Sequence, residues 1–112
     1  MTIAARYADA ALTLTTTSDI IAAQLAHRSV RKFLDTPVDD AQLQAIVAAA
    51  QSASTSSNLQ PWSVIAVRDP QRKARLAALA NNQQFINEAG LFLVWVADLG
   101  RARRVAEREN AP

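Results

Sequence analysis

The chain has 112 residues, of which 50% are hydrophobic and 20% charged, a composition that suits one small globular domain and excludes a disordered tail. The formal charge of +2 is too small to predict nucleic acid as a partner. Cysteine is absent, so disulfides and thiolate chemistry are excluded and a reducing compartment is favoured. The longest apolar run, 89–97, is about half of the ~20 residues that a membrane span needs. We therefore expect a cytoplasmic protein without a membrane partner.

Two helices are predicted near the N-terminus. Residues 2–14 place apolar side chains at helical spacing, before a threonine-rich stretch interrupts the pattern. Ser18 or Asp19 then has the side-chain oxygen that caps a helix start. We expect this second helix to end near His27 or Arg28, where the apolar stripe stops.

The third predicted helix has the clearest pattern in the chain. Asp39 is the expected N-cap, and Gln42 stands three residues later, as a capping box requires. Leu43 and Val47 follow at helical spacing and form its apolar stripe. Small polar residues at 52–58 lower the helix propensity, so we expect the helix to give way to a polar loop.

A strand and a fourth helix come next. Residues 62–67 are rich in β-branched and aromatic side chains, which predicts a strand. Asp69 and Pro70 then form an N-cap with proline at the first helical position. On this helix we expect Leu79 to face the core and Lys73 to face solvent.

The second predicted strand is residues 91–97, continuously apolar and therefore expected to be covered on both faces. A helical turn at 84–89 precedes it, and a solvated helix at 101–109 follows. We expect Trp62 and Trp95 to lie in the core. Two strands form a marginal sheet, so either a partner subunit or a longer chain is expected to complete it.

Three polar clusters are candidates for binding chemistry. Residues 27–31 bring an imidazole, a hydroxyl and two guanidiniums together, either to bind an anion or to offset the dipole at a helix end. The loop 54–60 offers hydroxyls and amides for a ligand or for helix capping. Four amides at 81–84 either match the edge of a heterocycle or only end a helix. His27 is the only histidine, so we expect no metal site and no catalytic triad.

The order and spacing of these clusters resemble the N-terminal half of the nitroreductase superfamily. The HRSVR sequence at 27–31 matches a family HRSxR sequence that closes the first core helix. A small-residue loop then ends in Leu-Gln at Gln60, and an amide position follows at Gln83. A buried strand ending in Ala-Asp, here at 97–98, completes a resemblance that covers about residues 18–102.

This resemblance implies a fold class of α+β, that is, mixed α/β. It is the FMN-dependent nitroreductase-like fold, in which helices pack around a central sheet, here truncated after two strands. On this interpretation residues 1–17 are an N-terminal extension. Residues 18–112 are the N-terminal part of the domain, and its C-terminal half is absent.

The resemblance also implies an NAD(P)H oxidoreductase that transfers hydride through FMN to nitroaromatics, quinones or flavin. FMN lies at the interface of a homodimer, NAD(P)H is the co-substrate, and no catalytic side chain is required. The implied FMN contacts from one subunit are His27, Arg28, Ser29, Arg31 and Gln83. Those from the other subunit are Thr55, Ser56, Ser57, Asn58 and Gln60.

One alternative comes from a different functional class. Family members are longer than this chain, so we expect a fragment that is inactive by itself. The alternative is a non-catalytic fragment or remnant that acts only as a dimerisation or binding module, because an exposed strand edge promotes association.

Overall fold

The computed structural model describes residues 1–110. They form two compact units, one comprising Met1–Arg31 and the other beginning at Lys32. The elements in chain order are α1 (Ile3–Tyr7), α2 (Asp19–Ala26), α3 (Asp40–Gln51), a 3-10 turn (Ser56–Asn58), β1 (Trp62–Val67), α4 (Pro70–Leu79), α5 (Phe85–Glu88), β2 (Phe92–Ala97) and α6 (Leu99–Arg108).

The first unit contains α1 and α2. The Ser18 hydroxyl accepts a hydrogen bond from the Ile21 amide at 3.3 Å, so the predicted cap of α2 is confirmed. The predicted helix over residues 2–14 is wrong beyond Tyr7, because Ala8 adopts a left-handed conformation with φ of 53°. Helical spacing of apolar residues extends past Ala8, but one left-handed residue is enough to end a helix.

The second unit opens with α3, whose predicted capping box is confirmed. The Asp39 carboxylate accepts from the Gln42 amide at 2.7 Å, and the Gln42 side chain accepts from the Asp39 amide at 3.0 Å. Both bonds satisfy N–H groups that a helix start otherwise leaves without partners.

Strands β1 and β2 pair antiparallel, in a register that sets Trp62 opposite Ala97 and Val67 opposite Phe92. Within residues 1–110 they form a two-stranded sheet, and α4 and α5 lie between them in the sequence. The predicted strand positions are confirmed, as is the mixed α and β fold class.

The core of the second unit lies where α4 and α5 meet the end of β1. Val67, Ala77, Ile86 and Ala89 are its buried apolar residues. Gly90 is also confined there, because an added Cβ would lie 2.8 Å from the Thr36 carbonyl oxygen. Because Gly90 has no side chain, its backbone lies close to that of Thr36 and Pro37.

The predicted directions of Lys73 and Leu79 on α4 are both wrong. Lys73 is only 8% exposed, and its ammonium donates to the carbonyls of Asn87 at 3.1 Å and Ala89 at 2.7 Å. Leu79, by contrast, is 85% exposed. The carbonyl oxygens at the end of α5 face α4 and need hydrogen-bond donors. The ammonium of a lysine can donate to them, whereas a leucine side chain cannot.

Within the described part of the chain β2 is not covered on both faces, so the cover expected from a partner subunit or a longer chain stays a prediction. Trp95 is 45% exposed and Ile65 on β1 is 53% exposed. Trp62 is half-buried and contacts Trp95, with ring centroids 5.1 Å apart. The core placement predicted for Trp95 is therefore wrong, because no layer of residues 1–110 covers that ring. In the same residues, no helix combines the length and apolar character needed to cross a bilayer.

Candidate functional site

The first cluster lies at the end of α2, within the first unit. The Arg28 guanidinium donates to the carbonyls of His27 at 3.0 Å and Leu25 at 3.4 Å. Arg6 donates to the same two carbonyls, with 3.0 Å to that of Leu25. Two cations therefore satisfy the carbonyl oxygens at a helix C-terminus, where the dipole is negative.

The other polar members of this cluster, His27, Ser29 and Arg31, lie at the surface of the first unit and are exposed. Between residues 1 and 110, the imidazole of His27 and the hydroxyl of Ser29 make no hydrogen bond. Imidazole and hydroxyl groups can donate hydrogen bonds to phosphate and ring oxygens.

The second cluster is a loop organised around Gln60. Thr55 Oγ1 accepts from the Gln60 amide at 3.0 Å, and Gln60 Nε2 donates to Asn58 Oδ1 at 3.2 Å. The indole Nε1 of Trp62 donates to Gln60 Oε1 at 2.7 Å. The amide side chain of Gln60 therefore organises the loop from inside.

The backbone of this loop is unusual. Ser57, Asn58 and Gln60 adopt positive φ values of 51°, 53° and 48°. Residues other than glycine rarely adopt this region, and each instance needs support from its surroundings. The hydroxyls of Ser56 and Ser57 are exposed, and among the described residues they have no hydrogen-bond partner.

Residues at the start of α6 supply much of that support. Arg101 Nη2 donates to the Gln60 carbonyl at 2.7 Å, and the Asp98 amide donates to the Pro61 carbonyl at 2.9 Å. Asp98 Oδ2 accepts from Ser63 Oγ at 2.5 Å, and Asp98 Oδ1 accepts from the Arg101 amide at 2.9 Å. We call Gln60, Ser63, Asp98 and Arg101 the α6 network.

Sequence reasoning missed the α6 network. Arg101 was assigned to a solvated helix, because its neighbours alternate between basic and acidic side chains. The helix was predicted to begin at Arg101, whereas α6 begins at Leu99, and the preference of aspartate for the N-cap position is the signal that could have identified Asp98. The hydrogen bond of Ser63 and that of the Arg101 amide, together with the positive charges of Arg104 and Arg101, lower the pKa of Asp98.

Gln83, the third predicted contact, lies between α4 and α5. Its amide donates to the Ala77 carbonyl at 3.1 Å, and its carbonyl accepts from the Ile86 amide at 3.1 Å. Its side chain is half-buried and makes no hydrogen bond to any residue from 1 to 110. Backbone hydrogen bonds thus hold Gln83, and its side-chain amide can still bond to a ligand.

Within the second unit, hydrogen bonds connect Thr55, Asn58 and Gln60 to one another. In the described part of that unit, none connects Gln83 to the loop.

The ten predicted contacts carry guanidinium, imidazole, hydroxyl and amide groups and no carboxylate. This donor set fits a ligand that combines an anionic phosphate with a polar heterocycle, as FMN does. Over residues 1–110 there is no group of three or more acidic or histidine side chains placed to hold a metal ion.

Comparison with known proteins gives one family match, to the Nitroreductase family over residues 25–110. An FMN reductase (NADPH) of Bacillus subtilis is 42% identical over 86 residues, which are 77% of this chain and 34% of that protein. An oxygen-insensitive NADPH nitroreductase of Salmonella typhimurium is 45% identical over 75 residues, 67% of this chain and 31% of that protein. The chain thus spans about a third of the length of the curated relatives it matches.

Solved structures give a consistent result. NfrA2 of B. megaterium superposes with a TM-score of 0.80 at 41% identity, over 86% of this chain and 39% of that one. The NADPH:FMN oxidoreductase of Vibrio harveyi, solved in complex with NAD+, superposes with a TM-score of 0.75 at 39% identity. That match covers 80% of this chain and 39% of the other. The fold expected from the resemblance is therefore confirmed.

Proposed function

The chain belongs to the nitroreductase family, and from that premise we propose that it carries FMN contacts of an NAD(P)H-dependent oxidoreductase. When bound, FMN supplies the hydride chemistry between NAD(P)H and an acceptor such as a nitroaromatic, a quinone or free flavin. The observation that carries the proposal is the family match over residues 25–110, which includes every predicted FMN contact.

In this proposal the end of α2 binds the anionic side of the cofactor. Arg28 and Arg31 supply positive charge for the phosphate, and His27 and Ser29 donate to the ribityl chain and ring edge. Arg28 already donates to the carbonyls of Leu25 and His27, which limits the directions its guanidinium can take. A cation held in this way loses less side-chain freedom when it binds an anion.

Gln83 and the loop complete the proposed site. The free side-chain amide of Gln83 donates to, or accepts from, the ring system or ribityl chain. The loop residues Thr55, Ser56, Ser57, Asn58 and Gln60 come from the partner subunit of a homodimer. The proposal assigns no acid, base or nucleophile to the chain, because the cofactor provides the redox chemistry. It includes a cytoplasmic location, since the chain has no cysteine.

A titration of the purified chain with FMN tests the proposal, with flavin absorption and fluorescence as readouts and light scattering for mass. We expect saturable binding to a dimer. Replacing Arg28 with Gln removes a charged donor worth about 1.5–3 kcal/mol, so we expect affinity to fall by about ten- to a hundredfold. Arg103→Gln is the matched control, because the Arg103 side chain is 80% exposed and, among the described residues, pairs only with Glu107.

A folded chain that shows no flavin binding would contradict the proposal. Circular dichroism of each variant establishes that it is folded. The second candidate, a module that only associates with a partner, is favoured by the exposed apolar side chains of Ile65 and Trp95 on the sheet. Dimer formation without flavin binding would support that candidate.

A further inference from the structure

The carbonyl of Gln60 is held by a residue far away in sequence. It accepts from Arg101 Nη2 at 2.7 Å, across 41 positions of the chain, and also from the Trp62 amide at 2.8 Å. The φ of Gln60 is 48°, a strained conformation that persists only where neighbouring groups maintain it. Arg101 is a charged donor, and hydrogen bonds from charged donors are the stronger ones.

Arg101 is itself fixed at the start of α6. Its amide donates to Asp98 Oδ1 at 2.9 Å, and the other carboxylate oxygen accepts from Ser63 Oγ at 2.5 Å on β1. The Asp98 amide donates to the Pro61 carbonyl at 2.9 Å. Three hydrogen bonds, from Arg101 to Gln60, from Asp98 to Pro61 and from Ser63 to Asp98, therefore join α6 to residues 60–63.

The effect of Arg101 reaches the loop through Gln60. With its backbone held, Gln60 bonds through its side chain to the side chains of Asn58 and Trp62. Its backbone amide donates to Thr55 Oγ1. Those bonds set the positions of Ser56 and Ser57, the two hydroxyls without partners in the described residues. Loss of Arg101 would remove the charged donor while leaving every one of these loop residues in the sequence.

We propose that Arg101 is a positioning residue for the flavin loop: through the Gln60 carbonyl it holds residues 55–60 in the conformation that binds FMN. The proposal has two parts. That the loop binds FMN rests on the proposed function, whereas that Arg101 holds the loop concerns only the chain itself. The basic residues of α6 are therefore not equivalent, because Arg101 donates to the loop whereas Arg103 pairs with Glu107 on its own helix.

The test compares Arg101→Gln, Arg101→Lys and Arg103→Gln in the full chain, with two readouts. Amide hydrogen exchange, measured without FMN, follows Gln60 in the loop, Trp62 at the start of β1 and Ile86 in the core. Flavin fluorescence then gives the FMN affinity. For Arg101→Gln we expect exchange at Gln60 and Trp62 to accelerate about tenfold or more, unchanged exchange at Ile86, and about tenfold weaker FMN binding.

Lysine retains one charged donor, so Arg101→Lys should restore most of both losses, and Arg103→Gln should behave as the unsubstituted chain. The proposal is overturned if Arg101→Gln and Arg103→Gln give the same loop exchange. Equal acceleration at Ile86 also overturns it, because the residue would then act on general stability. If the unsubstituted chain does not bind FMN, the proposed function fails, and the exchange data alone decide whether Arg101 holds the loop.

Discussion

The end of α2 and the loop at residues 54–60 differ in what holds them. At the end of α2, the main bonds are from Arg28 and Arg6 to carbonyls of the same helix end. The residues from 27 to 31 are all exposed. In the loop, by contrast, Gln60 is bonded inside the loop and also to Arg101, 41 positions away.

This difference separates two ways of building a binding group. A helix end always offers carbonyl oxygens and a negative dipole to a cation, whether the cation is adjacent, as Arg28 is, or comes from α1, as Arg6 does. A loop with several positive φ values needs neighbours that compensate its strain. We therefore expect substitutions in the core and at α6 to affect the loop, and substitutions at the cap of α2 to affect only the first cluster.

The largest loss of stability is expected at Lys73, whose ammonium holds the end of α5, the helix that follows Gln83. Lys73→Met leaves the carbonyls of Asn87 and Ala89 without their charged donor in a buried place, at a cost of about 2–3 kcal/mol. Urea unfolding measures the loss. The control is Arg75→Gln on an exposed position of α4, which should change stability by less than about 0.5 kcal/mol. Equal losses in the two variants would contradict a supporting role for the buried ammonium.

Gly90 tests how closely the core of the second unit is packed. Gly90→Ala would place Cβ 2.8 Å from the Thr36 carbonyl oxygen, and we expect a loss of about 1–3 kcal/mol. Gly100→Ala is the matched control within α6, where the nearest atom is 3.4 Å away, at the tip of the Arg104 side chain. There we expect thermal stability to be unchanged or higher by up to about 1 kcal/mol, since alanine favours helix. A stable Gly90→Ala variant would show that the segments can move apart.

The cap of α2 is the corresponding test of the first unit. Ser18→Ala removes the hydroxyl that accepts from the Ile21 amide, and we expect about 1 kcal/mol less helix stability. Amide exchange within α2 should accelerate accordingly, while exchange at Gln60 stays as before. Faster exchange in the loop after this change would break the contrast between the two regions.

The smallest effect is expected from the ionisation of Asp98, which is only half-buried. Its pKa is lowered from the usual value of an aspartate, first by the Ser63 hydrogen bond and then by that of the Arg101 amide. The ionised carboxylate therefore stabilises the α6 network fully above its unfolded pKa, and this contribution is lost as the pH falls through the lowered folded pKa. The indole N–H resonance of Trp62, which reports the Gln60 bond, should shift in that acidic range. Asp98→Asn should abolish the shift, and a shift that persists in this variant would assign it to another group.

Much of the fold was predictable because its signals are local. Ser18, Asp39 and Asp69 cap their helices as expected, since a cap and its partner amide are three residues apart. Both strands were predicted to within one residue of their observed bounds from β-branched and aromatic composition. The contacts of the three polar clusters with FMN remain predictions, because they depend on a ligand and on the partner subunit.

Two of the failures have a different cause, because the buried Lys73 and the exposed Leu79 depend on what a residue meets beyond its own element. The left-handed turn at Ala8 is local, since the amides of Ala8 and Asp9 both donate to the Ala4 carbonyl. The direction of Lys73 follows from carbonyl oxygens at the end of α5, which no periodicity in α4 reveals. The exposure of Trp95 follows from what covers β2, and a continuous apolar run alone does not specify that cover.

The amino-acid sequence by itself determined where most helices and strands begin and which polar groups lie close together along the chain, because caps, turns and side-chain spacing act over a few residues. Only the tertiary structure decided that Arg101 and Asp98 support Gln60, and that Lys73 is buried against α5. Those contacts join residues 14 to 41 positions apart, so chain folding, and not local propensity, selects which donor meets which acceptor.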